Sequence, residues 1–339
     1  MIINSLMGPL ISAGIIGVGK ELPEKAVSNQ DIVDMGLDTS DEWISERTGI
    51  KNRYIADENT SSVDLAEIAA KRAIENAGIN VTDLDGIIVS TTTPDHLMFP
   101  SAACLLQSRI GARNIFALDV SAACTGFNYA ISTGSQFVRT GQMKTVLVVA
   151  VDCLSKFVDW TDRSVCPLFG DGAGAVIVSE VKEGYGVLTI DLSSDGRYGD
   201  ILKVQAGGSR QPMTQDSFDN KDHLIQMAGR AVFKTAVSKL VPSIRSVLEK
   251  YELSVEDIGT FVFHQANIRI IEFVKEKLGI ADEQLYTNIH KYGNTSSASI
   301  PIVLDDKKSS FKDGELVMLI GFGAGFAWGV NIVKWGGRL

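Results

Sequence analysis

One of the four cysteines, Cys124, lies in the run Asp119-Val120-Ser121-Ala122-Ala123-Cys124-Thr125-Gly126-Phe127, where a β-run gives way to a helical pattern. Unpaired backbone N–H groups and the positive end of the dipole at a helix start favour a thiolate, so this corner predicts a covalent nucleophile able to hold an acyl group as a thioester. Three other features could work with it. His264 ends a predicted strand, Asn294 sits in Tyr-Gly-Asn-Thr-Ser-Ser, and glycines alternate through 321–325. Each has an ordinary alternative: packing for a cysteine among small residues, an interior hydrogen bond for the histidine, a turn or cap for the asparagine, a tight turn for the glycines.

The elements that must position these residues follow from periodicity and capping. A β-branched run near 13–18 reads as the first strand, after a loose lead-in at 1–12. Short helices are expected at 28–35 and 40–46, the second capped by Ser40, with Trp43 and Arg47 one turn apart on one face. That pair alone reads equally as an anchoring Trp beside a solvated Arg. An amphipathic helix at 62–77 stops at Gly78, a buried strand follows at 86–90, and 101–110 is helical after a loop with two prolines. A strand at 115–120 then leads into a slender helix at 123–138 that carries Cys124 in its first turn. Strands at 145–151 and in 168–179 complete a first half. The glycines at 170–174 lead into a strand, the reverse of a phosphate-cradling loop, so nucleotide binding is not expected there.

The second half repeats this order. Residues 258–263 with a helix at 267–278 answer the strand at 86–90 and its helix; 286–289 with 294–304 answer the Cys124 strand and helix; 316–320, the glycine turn and 327–333 answer 146–178. Duplicated α/β units are therefore expected, divided as 13–185 and 186–339, with the corners of Cys124 and Asn294 and the strand end of His264 facing one crevice.

The whole-chain properties agree with a folded enzyme. A chain of 339 residues with 45% hydrophobic and 22% charged residues can bury a large core. Its net charge of -9 argues against broad nucleic-acid binding, and the glycine-broken apolar opening is too interrupted to span a bilayer. Cysteines at 104, 124, 153 and 166 form no paired spacing, which fits a reduced cytoplasmic setting without disulfides.

Val-Ser-Ala-Ala-Cys-Thr-Gly-Phe at 120–127, His-Gln-Ala-Asn at 264–267, Gly-Asn-Thr-Ser-Ser-Ala-Ser at 293–299 and Gly-Phe-Gly-Ala-Gly-Phe at 321–326 occur in order. With Ser-Asp-Glu-Trp-Ile at 40–44, Arg-Thr-Gly-Ile at 47–50, Phe-Pro-Ser-Ala-Ala at 99–103, Thr-Asp-Arg at 161–163 and Phe-Gly-Asp-Gly-Ala-Gly at 169–174, they make the chain resemble β-ketoacyl-acyl-carrier-protein synthase III of the thiolase superfamily. The resemblance runs from about residue 13 to the end and implies a thiolase-like, duplicated five-layer αβαβα fold.

It also implies a decarboxylative Claisen condensation that initiates fatty-acid synthesis. Cys124 would take a short acyl group from acyl-CoA, and malonyl-acyl carrier protein would then lose CO2 and attack it. His264 and Asn294 would stabilise the enolate as neutral donors, and the backbone N–H groups of Cys124 and Ala324 would form the oxyanion hole. Trp43 and Arg163 would sandwich the CoA adenine, Arg47 would meet a CoA phosphate, and Lys234 and Arg269 would dock the carrier protein. Arg230, one turn from Lys234 on a helix expected at 224–240, extends that patch by spacing, a solvated helix face being the alternative. Phe99 would close the acyl pocket from the partner of a homodimer. No metal or cofactor is called for, since acyl-CoA is a substrate. A pathway-specific relative acting on a secondary-metabolite acceptor is the alternative, kept open by residues 205–222, which match no family motif and read as a variable loop at a pocket rim. A silent partner subunit is a third reading, disfavoured because Cys124, His264 and Asn294 are all present.

Overall fold

In a computed structural model, residues 10–339 are described; most of the expected lead-in at 1–12, residues 1–9, lies outside them. Two mixed sheets dominate. The first runs in the order Ala13–Glu21, Gly172–Glu180, Thr145–Asp152, Gly86–Ser90, Phe116–Val120, parallel among its last three strands and antiparallel at the other edge. The second runs Thr260–Phe263, Leu316–Gly323, Ala327–Lys334, with Gly186–Val187 and Asp191–Ser194 both pairing along the far side of Ala327–Lys334.

Side-chain alternation along the strands builds the layers. Val146, Val148 and Ala150 point into a central core shared with Val262, Val317 and Leu319 of the other sheet, and this core is filled by Phe127, Ala130 and Ile131 from one helix and Ile300, Val303 and Leu304 from another. Leu147, Val149 and Val151 point the opposite way, onto the helices Ser62–Ala77 and Ala102–Arg109. Met318 and Ile320 likewise face the helices Gly229–Lys250 and Ile268–Leu278. A strand buried on both faces needs apolar residues at every position, and each fully buried Val or Leu contributes about 1.5–3 kcal/mol. The result is helix, sheet, helix, sheet, helix: the five layers that the resemblance implies.

Local chemistry sets the element ends as expected in most places. Ser40 accepts from the Trp43 N–H at the start of Asp41–Thr48, and Gly78 closes Ser62–Ala77 at φ 63°. That helix is alanine-rich because it sits very close to the first strand; a Cβ on Gly17 would come 2.5 Å from Ala73 O and 2.6 Å from Ala77 Cβ. Two expectations need correction. Residues 286–289 form no strand: Leu285 makes a single parallel bridge to Phe261, and the helix Ile289–Tyr292 begins at once. The helix expected at 224–240 starts later, because Ile225–Met227 pairs with Leu202–Val204 as a small ribbon, and then continues through Pro242 to Lys250.

Candidate active site

Cys124 arrives at the site from the carboxyl end of the strand Phe116–Val120. It lies in a 3₁₀ turn, Ala123–Thr125, and the α-helix begins only at Gly126, so the expected place in the first α-helical turn is corrected by one tight turn. Ala123 enters that turn at φ 47°, a left-handed conformation uncommon for alanine. The glycine turn of the second half presses against the nucleophile: a Cβ on Gly323 would come 2.5 Å from Cys124 N and 3.1 Å from Cys124 Cβ. Only glycine fits there.

The second half repeats the device. A 3₁₀ turn, Ser296–Ala298, precedes the helix Ser299–Lys307, and Ser296 takes φ 53°. Just before it, Asn294 is fixed through its backbone, donating its N–H to Leu168 O (2.9 Å) and accepting from Gly170 N (3.0 Å). The Leu168 stretch is held in turn by the fully buried Arg53, which donates to Pro167 O at 2.7 Å. Asn294 Oδ1 accepts from the Ser296 N–H at 2.9 Å, which settles the amide orientation and leaves the Nδ2 hydrogens to donate into the cavity that Asn294 lines. His264 donates its backbone N–H to Ile320 O (2.7 Å), its Nδ1 is 2.7 Å from Ser299 Oγ, and its ring stands edge-on to Phe322 at 5.3 Å. Cys124, His264 and Asn294 are 8%, 1% and 6% exposed, and all three line one cavity of about 490 Å³.

Electrostatics correct the expected thiolate. Burial pushes the Cys124 thiol up to about 12; the Ser296 hydroxyl, 3.4 Å from Sγ, pulls against this, and Asp152 pushes it further up. Desolvation therefore outweighs the helix start, and the free site holds a neutral thiol. Burial also drives His264 down to about 3, so its imidazole is neutral. A nucleophile at rest beside two neutral hydrogen-bond donors is suited to acyl transfer and to stabilising an oxyanion or enolate.

Of the other expected residues, Trp43, Arg47, Arg163, Arg230 and Arg269 line the same cavity as Cys124. Both Arg47 and Arg163 stack on the Trp43 ring, with Cζ 5.0 Å and 5.6 Å from its centroid, and Arg163 is anchored by Asp38. Lys234 is exposed one turn from Arg230 but does not line the cavity. Ala324 is not among the lining residues, while its neighbours Gly323 and Phe326 are. Phe99 is 77% exposed and lies outside the cavity of its own chain. Residues 205–222 contain a short helix, Gln215–Asp219, and are tied down by Lys221 on Asp159. Their flanking strands, through Leu202 and Met227, supply the rim. Sequence reasoning missed Ser296, Ser299 and Asp152. The first two lie inside a motif it had singled out, but a serine in a turn carries no signal of which atom its hydroxyl will reach.

Comparison with known proteins gives a consistent picture. The family described as 3-Oxoacyl-[acyl-carrier-protein (ACP)] synthase III matches residues 118–196, and its C-terminal counterpart matches 248–335. The chain is 46% identical to the β-ketoacyl-[acyl-carrier-protein] synthase III of Caldanaerobacter subterraneus subsp. tengcongensis, over 96% of this chain and 98% of that one. It is 48% identical to the protein of the same name from Clostridioides difficile, over 95% and 98%. The crystal structure of 3-oxoacyl-[acyl-carrier-protein] synthase III from Aquifex aeolicus VF5 superposes with a TM-score of 0.87 at 40% identity, covering 96% of this chain and all of that one (100%).

The neutral imidazole is testable by NMR. His264 should not titrate above about pH 4, and a midpoint near its ordinary 6.5 would contradict the burial argument. Because the unfolded histidine binds its proton near 6.5 and the folded one only near 3, its contribution to stability is complete above 6.5 and is lost as pH falls towards 3. His264→Ala should accordingly flatten the acid side of a stability profile.

Proposed function

This chain belongs to the β-ketoacyl-[acyl-carrier-protein] synthase III family, and on that premise we propose which residues carry each step of its reaction. It condenses acyl-CoA with malonyl-acyl carrier protein at the start of fatty-acid synthesis. The observation that carries the residue assignment is the convergence of Cys124, His264 and Asn294, from separate elements, on one cavity.

In the first half-reaction, Cys124 Sγ forms a bond to the acyl carbonyl carbon, the carbon–sulfur bond to CoA breaks, and the thiol proton ends on the CoA sulfur. The backbone N–H groups of Cys124 and Ala324 stabilise the intermediate oxyanion; Gly323, packed on Cys124, brings that turn within reach. In the second, the malonyl carbon–carboxylate bond breaks, CO2 leaves, and the electron pair becomes an enolate whose oxygen accepts from His264 and Asn294 Nδ2. The enolate carbon attacks the acyl carbonyl, the bond to Cys124 breaks, and the sulfur regains a proton from water. A neutral His264 and an amide fixed by Ser296 suit this role, since neither needs to change charge.

Trp43 and Arg163 take the adenine by parting slightly, their present 5.6 Å separation being too short for an aromatic ring between them, and Arg47 meets a phosphate. Arg230, Lys234 and Arg269 are exposed, and among the described residues none is paired with a carboxylate, which leaves them available to an acidic carrier protein. Two chains form a dimer across Leu97, Met98 and Phe99, which are 73%, 82% and 77% exposed, and the edge strand Phe116–Val120. The partner's copy of this segment closes the acyl pocket and favours a short primer. The setting is a reducing, cytoplasmic one, in keeping with four free cysteines.

Cys124→Ala should abolish acyl transfer from acyl-CoA, measured as loss of the acylated protein. His264→Ala and Asn294→Ala should slow release of CO2 from malonyl-carrier protein roughly a hundredfold or more while slowing acylation less; the reverse ordering would exchange the roles. Charge reversal at Lys234 and Arg269 should raise KM for malonyl-carrier protein and not for acyl-CoA, and equal effects on both would reject docking there. Light scattering on Phe99→Glu should give the mass of one chain, against that of two for the parent; two masses alike would reject the interface.

A further inference from the structure

We infer that Ser296 is a catalytic residue of the first half-reaction, its hydroxyl donating a hydrogen bond to the Cys124 sulfur as that sulfur becomes an anion and attacks the thioester. The inference rests on the assignment of Cys124 as the acylated nucleophile. Ser296 Oγ lies 3.4 Å from Cys124 Sγ, and it is the one side-chain hydroxyl bonded to that atom among the described residues. A neutral thiol can donate to a hydroxyl or accept from it. A thiolate can only accept, so the contact strengthens as negative charge develops, which is the condition for lowering a barrier.

The surroundings make such a donor necessary. Cys124 is buried, His264 is neutral, and the nearby Asp152 carboxyl opposes ionisation of the sulfur, so among the side chains the Ser296 hydroxyl is what works in the other direction. The chain also holds Ser296 where a serine is rarely found. At φ 53° an L-residue carries backbone strain, and here that conformation is fixed from both sides: the Ser296 N–H is bound to Asn294 Oδ1 at 2.9 Å, and the next residue donates through Ser297 Oγ to Asp152 Oδ2 at 3.0 Å. Glycine would adopt this backbone without strain, so the side chain present is explained by what its hydroxyl reaches. Ser296 thus serves both half-reactions, with its backbone orienting Asn294 and its hydroxyl meeting Cys124.

Iodoacetamide alkylation of Cys124 across pH, located by peptide mapping, tests this directly, together with the rate of acyl-enzyme formation. Ser296→Ala should move the alkylation profile to higher pH and slow acylation roughly ten- to a hundredfold, the size expected for a hydrogen bond to a charged group. Ser296→Gly keeps φ 53° accessible and also lacks the hydroxyl, so it should give the same shift, and it carries the test if the alanine variant does not fold. An unchanged profile in the glycine variant overturns the inference, and so does a shift in the alanine variant alone, which would assign the effect to the backbone. Alkylation of the unacylated enzyme reports the free Cys124 sulfur and does not depend on which residue takes the acyl group. A wrong choice of nucleophile would instead appear as turnover surviving Cys124→Ala, so the two failures are distinct.

Discussion

Asp152 is fully buried, and its two carboxyl oxygens take hydrogen bonds from both halves of the chain. Oδ1 accepts from Thr92 N at 2.7 Å and from the hydroxyls of Thr91, Thr92 and Thr93 in the first half; Oδ2 accepts from Ser297 N and Oγ in the second. Each bond to such a group is worth about 1–3 kcal/mol, and more is lost when a buried carboxyl is left unpaired. This joint fixes the turn 294–299, and the site depends on that turn. Asn294 opens it, Ser296 touches Cys124, and Ser299 closes it against His264. The two sheets bring the halves together; the joint sets their register at the scale of a single hydrogen bond.

The nucleophile and the imidazole of the site are neutral at rest. Burial suppresses both the Cys124 thiolate and the His264 imidazolium, which keeps a deeply placed charge from forming before substrate is present. On the proposed assignment, charge develops on these groups only during reaction, first on the sulfur and the acyl oxygen and later on the enolate. Donors already in place for those atoms need little reorganisation, which is how a preorganised site lowers barriers.

Much of this was legible in the sequence, for identifiable reasons. Fully buried strands such as Gly86–Ser90, with its apolar run Ile87–Val89, and capped helices such as Ser62–Ala77 follow local rules, and their bounds came out as expected. Cys124, His264 and Asn294 sit in motifs distinctive enough to be found without a fold. What escaped was set by long-range geometry. Residues 286–289 read as a strand, yet only Leu285 bridges to Phe261, and the chain turns into the helix Ile289–Tyr292 instead of extending the pairing. The expected thiolate failed because position along a helix is visible in sequence and desolvation is not.

The most direct test of the account is intact-mass measurement of the wild-type enzyme incubated with a panel of acyl-CoAs and then chased with malonyl-acyl carrier protein. The account predicts one acyl group per chain, strongest for short primers, that disappears on the chase as 3-oxoacyl-carrier protein and CO2 are formed. A chain that loads an acyl group and keeps it through the chase, or that passes it on without releasing CO2, would contradict the decarboxylative condensation on which the proposed residue roles rest.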